Sequence, residues 1–237
     1  MSNKILQIKG FPLIKFHPSS RTEDLLNGCL YMKTLEWYRK LENETSDSLV
    51  GDATEALWHI NEATMMVTPV SDGDARVDEL RDTWFKTVHS DDFVFCMTGV
   101  NPNQHRSFEF TPKQKDEMLG FGDVALLITD VYEFCRRILK TTDALGYKVT
   151  SNFVNYYDER IDEFNRTISM MYDMRNIAFQ KRKCYAFQQE YRFMITPNSI
   201  IKEDFIMLEI GDIRDISAVY KTEHVLKSRL EEGKPHE

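Results

Sequence analysis

Residues 181–193 read Lys-Arg-Lys-Cys-Tyr-Ala-Phe-Gln-Gln-Glu-Tyr-Arg-Phe and carry the clearest structural pattern in the chain. Side chains alternate between the two faces of a strand, so Gln188, Glu190 and Arg192 are expected to share one face. The aromatic residues that alternate with them lie on the other face. The pattern predicts a strand whose polar side faces a site. A half-exposed strand in which Glu190 and Arg192 pair at the surface fits the same spacing equally well.

Charge and composition limit the classes of function. The chain has 237 residues, with 30 Lys+Arg against 38 Asp+Glu, and its net charge is -8. Hydrophobic residues make up 42%, which is enough for a substantial core. The acidic balance argues against broad non-specific binding of nucleic acid, because that affinity comes from many Lys/Arg–phosphate contacts. A local basic patch stays compatible with it.

The apolar residues form no run of about 18, which a transmembrane helix requires. The first ten residues, MSNKILQIKG, lack the apolar stretch of a signal peptide. We therefore expect a cytoplasmic protein without a membrane segment. Its four cysteines, at positions 29, 96, 135 and 184, are far apart and form no zinc-type spacing, so we expect them to be reduced core residues.

The hydrophobic periodicity predicts one α+β domain, because strands and helices alternate without a repeat or a linker. We assign residues 1–229 to this domain and residues 230–237 to a charged, flexible tail. In the longest predicted helix, Ile161, Phe164, Ile168, Met171 and Tyr172 are expected to face inward. We predict strands at residues 5–17, 29–32, 58–70, 93–97, 123–128, 147–157, 190–196 and 205–210. We predict helices at residues 23–27, 34–41, 131–140 and 159–179.

Two further segments contain residues that suit chemistry. His17 ends the first strand in a turn, where its ring can hydrogen-bond a ribose hydroxyl or simply be solvated. Residues 51–55, Gly-Asp-Ala-Thr-Glu, place two carboxylates three residues apart after an acidic loop. Asp52 and Glu55 suit Mg²⁺ binding or acid–base work, and a solvated turn with a capping Asp fits as well. The chain has no P-loop, GxGxxG, GxSxG or HExxH motif, so nucleotide hydrolysis, dinucleotide oxidoreduction and common hydrolase chemistry lack their usual sequence support.

Short motifs along most of the chain resemble a large bacterial family of mostly uncharacterised proteins. Their order and spacing make the resemblance more specific than any single motif. In chain order they are Lys15-Phe16, Asn27-Gly28-Cys29-Leu30-Tyr31, Gly51-Asp52 with Glu55, Phe121-Gly122-Asp123, Lys181 with Tyr185, and Gln188-Gln189-Glu190-Tyr191-Arg192.

That family in turn resembles the ADP-ribosyltransferase fold, and some similar proteins resemble toxins of phage-defence systems that modify RNA or DNA. The resemblance implies a single domain with the mixed central sheets of that fold and flanking helices. It also implies that NAD is the substrate, that RNA, DNA or protein is the acceptor, and that an antitoxin protein is a partner. The expected class is an NAD-dependent ADP-ribosyltransferase acting as a toxin of an anti-phage or toxin–antitoxin system.

The resemblance also implies roles for individual residues. Glu190 would stabilise the positive charge that develops on the ribose when the nicotinamide bond breaks, and Gln188 would orient the acceptor. Tyr38 or Tyr31 would stack on the nicotinamide ring. The implied catalytic residues are Tyr38, Gln188 and Glu190. The implied cofactor-binding residues are Lys15, His17, Tyr31, Thr34 and Arg192. A basic group that would hold NAD phosphates or a nucleic-acid backbone comprises Arg175, Lys181, Arg182 and Lys183.

Two other classes fit parts of the sequence. A metal-dependent nuclease would use Asp52, Glu55 and Glu190 with Lys181 or Lys183, and would cleave nucleic acid with Mg²⁺ and without NAD. A catalytically inert phage or prophage factor would bind a host component through its acidic surface. Truncation of Glu190 separates the inert factor from the transferase, because only the transferase should lose its function. At an exposed position the truncation is expected to cost only about 1 kcal/mol of stability.

Overall fold

The computed structural model describes residue 8 and residues 10–45, 49–67, 76–86, 91–100, 107–161 and 164–231. The strands are β1 Leu13–His17, β2 Cys29–Thr34, β3 Leu57–Val67, β4 Arg76–Lys86, β5 Phe93–Gly99, β6 Ser107–Glu109, β7 Val124–Ile128, β8 Lys148–Phe153, β9 Asn155–Tyr157, β10 Gln180–Arg182, β11 Glu190–Thr196, β12 Phe205–Glu209, β13 Ser217–Lys221 and β14 Arg229–Glu231. The α-helices are α1 Thr22–Leu26, α2 Leu35–Thr45, α3 Pro112–Met118, α4 Val131–Ala144, α5 Phe164–Tyr172 and α6 Thr222–Lys227. Short 3₁₀ helices occupy Ser19–Arg21, Leu119–Phe121, Met174–Phe179, Lys183–Gln188 and Arg214–Ile216.

The main sheet has eight strands and forks at β5. One edge of β5 pairs with β11, which pairs in turn with β8. The other edge is shared, because β2 pairs with Phe93 and Val94 whereas β1 pairs with Thr98 and Gly99. One branch continues from β2 to β12, and the other continues from β1 through β7 to β13. The middle of β5, at Phe95–Met97, therefore borders a gap between the two branches.

These observations confirm the prediction of an α+β fold. Every described strand pair of the main sheet is antiparallel. Within the described ranges, parallel pairing occurs only between β9 and β10, which form a separate two-stranded sheet. The long β3–β4 hairpin and the β6–β14 pair form two further two-stranded sheets.

Strand β11 separates an apolar face from a polar one, as the alternation predicts. Tyr191, Phe193 and Ile195 belong to the largest core cluster. Helix α4 packs onto this side, and the rings of Phe134 and Phe193 lie 5.8 Å apart in an edge-to-face contact. The opposite face carries Glu190 and Arg192, so the packing of α4 directs both side chains to the side of the sheet away from that helix.

Gln188 does not extend this strand as predicted. It ends the 3₁₀ helix Lys183–Gln188, and Gln189 then takes a left-handed conformation with φ +44° before β11 begins at Glu190. The alternation of the sequence therefore applies from Glu190 onward. Gln188 reaches the polar side through this turn.

The predicted helix over residues 159–179 is wrong. Helix α5 ends at Tyr172, and Asp173 takes an extended conformation with its side chain accepting from the backbone N–H of Arg175. The inward-facing residues also differ from the prediction, because Ile161, Ile168 and Tyr172 are exposed whereas Met170 is buried. The predictions for the side chains of Phe164 and Met171 lie outside the described residues.

Other predicted elements differ at their ends. The predicted strand over residues 147–157 is two strands, because β8 pairs with β11 in the main sheet whereas β9 pairs with β10 in a separate sheet. The predicted tail begins inside β14, and residues 232–237 lie outside the described residues, as do residues 5–7 and 68–70 of two predicted strands. In the part of the chain that the structure describes, no helix combines the length and apolar character needed to cross a membrane.

Candidate functional site

A pocket of about 270 Å³ opens at the fork of the main sheet. Strand β1, helix α2, the free edge of β5 and the polar face of β11 supply its walls. Its polar or charged lining residues are Lys15, His17, Tyr38, Cys96, Thr98, Lys181, Gln188, Glu190 and Arg192, and its apolar lining residues are Ile14, Phe16, Pro18, Val50, Met97, Met118 and Phe121.

Arg192 is saturated by protein acceptors at the base of the pocket. Its Nε donates to Glu190 Oε1 at 2.6 Å, and its Nη2 donates to Glu190 Oε2 at 3.2 Å. On the other side, Nη1 and Nη2 donate to the two oxygens of Glu55 at 2.7 and 3.0 Å. Nη1 also donates to the Ala178 carbonyl at 2.6 Å. A guanidinium has five N–H donors, so all of them are used within the protein.

Lys181 holds the other side of the Glu190 carboxylate. Its Nζ donates to Glu190 Oε2 at 3.2 Å and to Gln188 Oε1 at 2.8 Å. The Gln188 amide nitrogen donates in turn to the Leu49 carbonyl at 2.8 Å. Lys181, Gln188 and Glu190 are all buried. The orientation of each side chain is therefore fixed by the next one in the network.

Glu190 is held as a carboxylate. Burial by itself raises its pKa, but the charges of Arg192 and Lys181 outweigh burial and lower the pKa well below its ordinary value. Cys96 lines the same pocket, and burial together with the charge of Glu190 raises the pKa of its thiol to about 12, so the thiol stays protonated. Glu190 Oε1 accepts from Arg192 Nε, and a carboxylate oxygen can accept a second hydrogen bond. A ligand hydroxyl in the pocket can therefore donate to this carboxylate.

His17 lines the same pocket, and one of its ring nitrogens has no partner in the described part of the chain. Its Nδ1 lies 2.9 Å from the Pro18 carbonyl oxygen, which can only accept, so Nδ1 carries the proton. Burial lowers the pKa of His17 and favours the neutral ring. Nε2 is then an acceptor, and within the described part of the chain it has no hydrogen-bond partner although the side chain is only 4% exposed. A buried acceptor of this kind favours a ligand that donates a hydrogen bond, such as a hydroxyl.

Lys15 and Tyr38 complete the polar lining. Lys15 donates to the Cys96 carbonyl at 2.7 Å, at the gap left on the edge of β5 by the fork. Burial lowers the pKa of Lys15. Burial also raises the pKa of Tyr38 well above its ordinary value, so the phenol stays neutral. The pocket thus offers an ammonium group and an aromatic ring beside the Glu190 network.

Gly122 allows a close backbone contact with His17 at one wall of the pocket. Its φ is +145°, and a Cβ at this position would lie 2.0 Å from the His17 carbonyl carbon. The next residue, Asp123, accepts from the backbone N–H of Ser19 at 2.8 Å through its carboxylate. The close approach of these two segments holds the turn that follows β1.

Gly122→Ala should destabilise the protein more than Gly211→Ala. Both glycines have positive φ, which alone costs a non-glycine residue about 1–3 kcal/mol. A Cβ at Gly211 meets nothing within 4 Å, whereas at Gly122 it meets the His17 backbone. Denaturant unfolding of the two variants measures the difference. Equal losses would contradict the close packing of Gly122 against His17.

The structure brings most of the predicted site residues into this pocket. They are Lys15, His17, Tyr38, Lys181, Gln188, Glu190 and Arg192. Thr34 and Tyr31 do not line it. Thr34 instead caps α2, with its hydroxyl accepting from the backbone N–H of Trp37 at 3.1 Å. Tyr31 is exposed, and its ring stacks on Phe205 at 5.4 Å.

The four residues of the predicted basic group do not form one surface. Arg175 pairs with Asp173 at 2.7 Å. Arg182 pairs with Glu42 and Asp52 at 2.8 and 3.0 Å. Lys181 is buried against Glu190, so only Lys183 of the group is fully exposed. The two arginines are therefore largely neutralised by carboxylates of the protein itself.

Residues 51–55 are not a solvated turn, because both of their carboxylates are buried against arginine side chains. Asp52 forms an ion pair with Arg182, and Glu55 forms an ion pair with Arg192. Among the described residues, no group of three or more His, Cys, Asp or Glu side chains is arranged to hold a metal ion. The space between Glu55 and Glu190 is filled by the Arg192 guanidinium.

Sequence reasoning missed three contributors. Glu55 was expected to bind metal or act in acid–base chemistry. It instead contacts Arg192, which lies 137 positions later in the chain. Tyr156 accepts the backbone N–H of Glu190 at 2.8 Å and has no motif of its own. Cys96 was expected in the core, and it lines the pocket because the fork leaves its strand edge unpaired. The four cysteines are free, and Cys184 is exposed.

Comparison with known proteins gives no assignment: no protein-family model, no curated protein and no solved structure matches this chain.

Proposed function

We propose that the protein is an NAD-dependent ADP-ribosyltransferase that binds the nicotinamide–ribose part of NAD in the pocket at the sheet fork. The observation that carries this proposal is the pairing of two complementary groups in one pocket. Glu190 is a buried, ionised carboxylate, and His17 presents a buried acceptor nitrogen without a partner in the described part of the chain. Both suit the hydroxyl groups of a ribose.

The reaction follows from these groups. The bond between nicotinamide nitrogen and ribose C1′ breaks, its electron pair leaves with the nicotinamide ring, and positive charge develops on the ribose. The Glu190 carboxylate accepts a hydrogen bond from a ribose hydroxyl and stabilises that charge. A nucleophile of the acceptor then forms a bond to C1′ and loses its proton.

The remaining lining supports the same substrate. Tyr38 supplies an aromatic ring for the flat nicotinamide. The ammonium groups of Lys15 and Lys181 suit the oxygens of a ribose phosphate. A volume of about 270 Å³ lies just below the range of roughly 300–1,000 Å³ that encloses a drug-sized ligand. The pocket therefore fits one half of a dinucleotide, with the other half outside.

His17→Phe should weaken NAD binding by about 2- to 12-fold, which corresponds to one neutral hydrogen bond of about 0.5–1.5 kcal/mol. Phenylalanine keeps a flat aromatic ring, slightly larger than imidazole, and removes both ring nitrogens. His17→Gln is the matched control, because a Gln side chain retains an acceptor and should recover part of the affinity. Calorimetric titration with NAD measures both variants. Equal affinity of wild type and His17→Phe would remove His17 from the site.

Incubation with labelled NAD identifies the acceptor. The purified protein is mixed in separate reactions with cell RNA, DNA and protein, and the label is followed into each fraction. Transfer to nucleic acid would support a toxin that modifies RNA or DNA, and transfer to protein would support a protein-directed enzyme. A parallel reaction with Mg²⁺ and no NAD tests the nuclease alternative, which predicts cleavage of the nucleic acid instead of labelling.

The geometry gives the nuclease alternative less support than the transferase. The carboxylates of Asp52, Glu55 and Glu190 each contact a guanidinium group of the protein. Mg²⁺ is held by carboxylate oxygens and water, so these arginines would have to leave before a metal could enter. NAD binding requires no such displacement.

A further inference from the structure

Glu55 lies behind the proposed catalytic carboxylate and does not line the pocket. It is 1% exposed, and both of its oxygens contact Arg192. Arg192 contacts Glu190 with its other edge. One guanidinium thus joins two carboxylates, of which only Glu190 reaches the pocket.

The charges around the pocket make this arrangement significant. Lys15, Lys181 and Arg192 all line the cavity, whereas Glu190 is the only carboxylate among its lining residues. Three cations beside one carboxylate oppose any reaction that builds positive charge, because Coulomb interactions are strong where water is excluded. Burial raises the pKa of Glu55, and the charge of Arg192 opposes that shift. Both oxygens of Glu55 accept from the Arg192 guanidinium, so its carboxylate adds a second negative charge that offsets that of Arg192.

The loop that carries Glu55 is built firmly into the fold. The backbone N–H of Asp52 donates to the Tyr38 carbonyl at 3.2 Å, and that of Glu55 donates to the Asp52 carbonyl at 2.8 Å. Ala56 follows with φ +57°, a left-handed conformation that a non-glycine residue adopts only at an energetic cost. Its side chain is packed in a small core cluster with Leu35 and Phe179. The surrounding structure therefore holds Glu55 in place against local strain.

We propose that Glu55 is a positioning residue that offsets the charge of Arg192, so that Glu190 keeps its orientation and its negative potential toward the reacting ribose. This inference rests on the proposed transferase function. It assigns the Gly-Asp-x-x-Glu loop a part in the reaction without contact with the substrate. It also explains why Arg192 holds Glu190 without cancelling its charge.

Glu55→Gln tests the inference by the kinetics of nicotinamide release from NAD. The change keeps the side-chain shape and removes the charge, so kcat should fall about 10- to 100-fold while KM for NAD stays within about threefold, because Glu55 affects the developing charge and not ground-state binding. Glu55→Asp keeps the charge and should stay within about tenfold of wild type in kcat. Asp52→Asn removes a buried charge from the same loop but contacts Arg182, and should stay within about threefold.

The outcomes separate this inference from the proposed function. If wild type releases no nicotinamide with any acceptor fraction, both the function and the inference fall. If wild type is active and Glu55→Gln matches Asp52→Asn in kcat, the function stands and the inference falls. If Glu55→Gln does not fold, a folded Glu55→Asp whose kcat is more than tenfold below that of wild type overturns the inference.

Discussion

Glu190→Gln should slow ADP-ribose transfer by about 10²- to 10³-fold, the loss found when one preorganised electrostatic group is removed from an active site. The variant keeps the shape of the side chain and a hydrogen-bonding oxygen, but it loses the negative charge that, in the proposed reaction, stabilises the cation developing on the ribose. The loss should lie in kcat, because the proposed ground-state contacts with NAD also involve His17, Lys15 and Tyr38. Initial rates of label transfer at saturating NAD measure it.

The control for this variant must match its loss of stability. An exposed Glu190 would cost only about 1 kcal/mol on truncation, but Glu190 is 4% exposed and paired with two cations. Removing one partner of a buried ion pair costs about 3–5 kcal/mol. Ile138→Ala on α4 removes a buried side chain from the other side of the sheet at a cost of about 2–5 kcal/mol. It should keep its activity while folded, and an equal loss of activity in both variants would contradict a chemical role for Glu190.

Arg192→Met should lower the free energy of unfolding by about 3–5 kcal/mol at neutral pH, because it leaves Glu55 and Glu190 buried without their shared cation. Denaturant unfolding measures the change. Arg136→Met is the matched control, since Arg136 lies on the exposed side of α4 and pairs with Glu133 at the surface. A surface pair contributes about 0–1 kcal/mol. Similar losses in the two variants would contradict the buried network.

The same network predicts how stability depends on pH. In the folded protein, the pKa of Glu190 lies below its ordinary value of 4.5, so folding favours the ionised form. This contribution is fully present above pH 4.5 and is lost as the pH falls from 4.5 toward the folded pKa. Wild type should therefore lose stability below pH 4.5 more steeply than Glu190→Gln. Unfolding curves at pH 3–6 measure the two slopes, and identical slopes would contradict the lowered pKa.

The strand that carries Glu190 could be predicted from sequence because its pattern is local. Polar and apolar residues alternate from Glu190 to Phe193, the apolar residues Met194 and Ile195 follow, and the observed β11 spans Glu190–Thr196 as predicted. The strand at residues 93–97 was also predictable as a short apolar run, which matches its position in the middle of the sheet. Local sequence patterns therefore predicted β5 and β11, the two strands that form the base of the pocket.

The rest of the site depends on contacts between distant parts of the chain. The polar composition of residues 51–55 is typical of a solvated loop. Asp52 and Glu55 are nevertheless buried, and each contacts an arginine that lies more than a hundred positions later in the chain. Lys181 belongs to a run of basic residues, which is typical of an exposed surface. The parallel pairing of β10 with β9 helps to place it in contact with Glu190. The prediction of one long helix over residues 159–179 failed for a different reason. The helical spacing of apolar residues continues past Asp173, but the backbone of Asp173 is extended and not helical.

Release of nicotinamide from NAD by the purified protein tests the central claim most directly. Wild type and Glu190→Gln are incubated with NAD, with and without RNA, DNA and protein fractions, and free nicotinamide is quantified over time. The proposed function predicts release by wild type and a rate about 10²- to 10³-fold lower for the variant. Absence of both NAD binding and nicotinamide release in every wild-type reaction would contradict it.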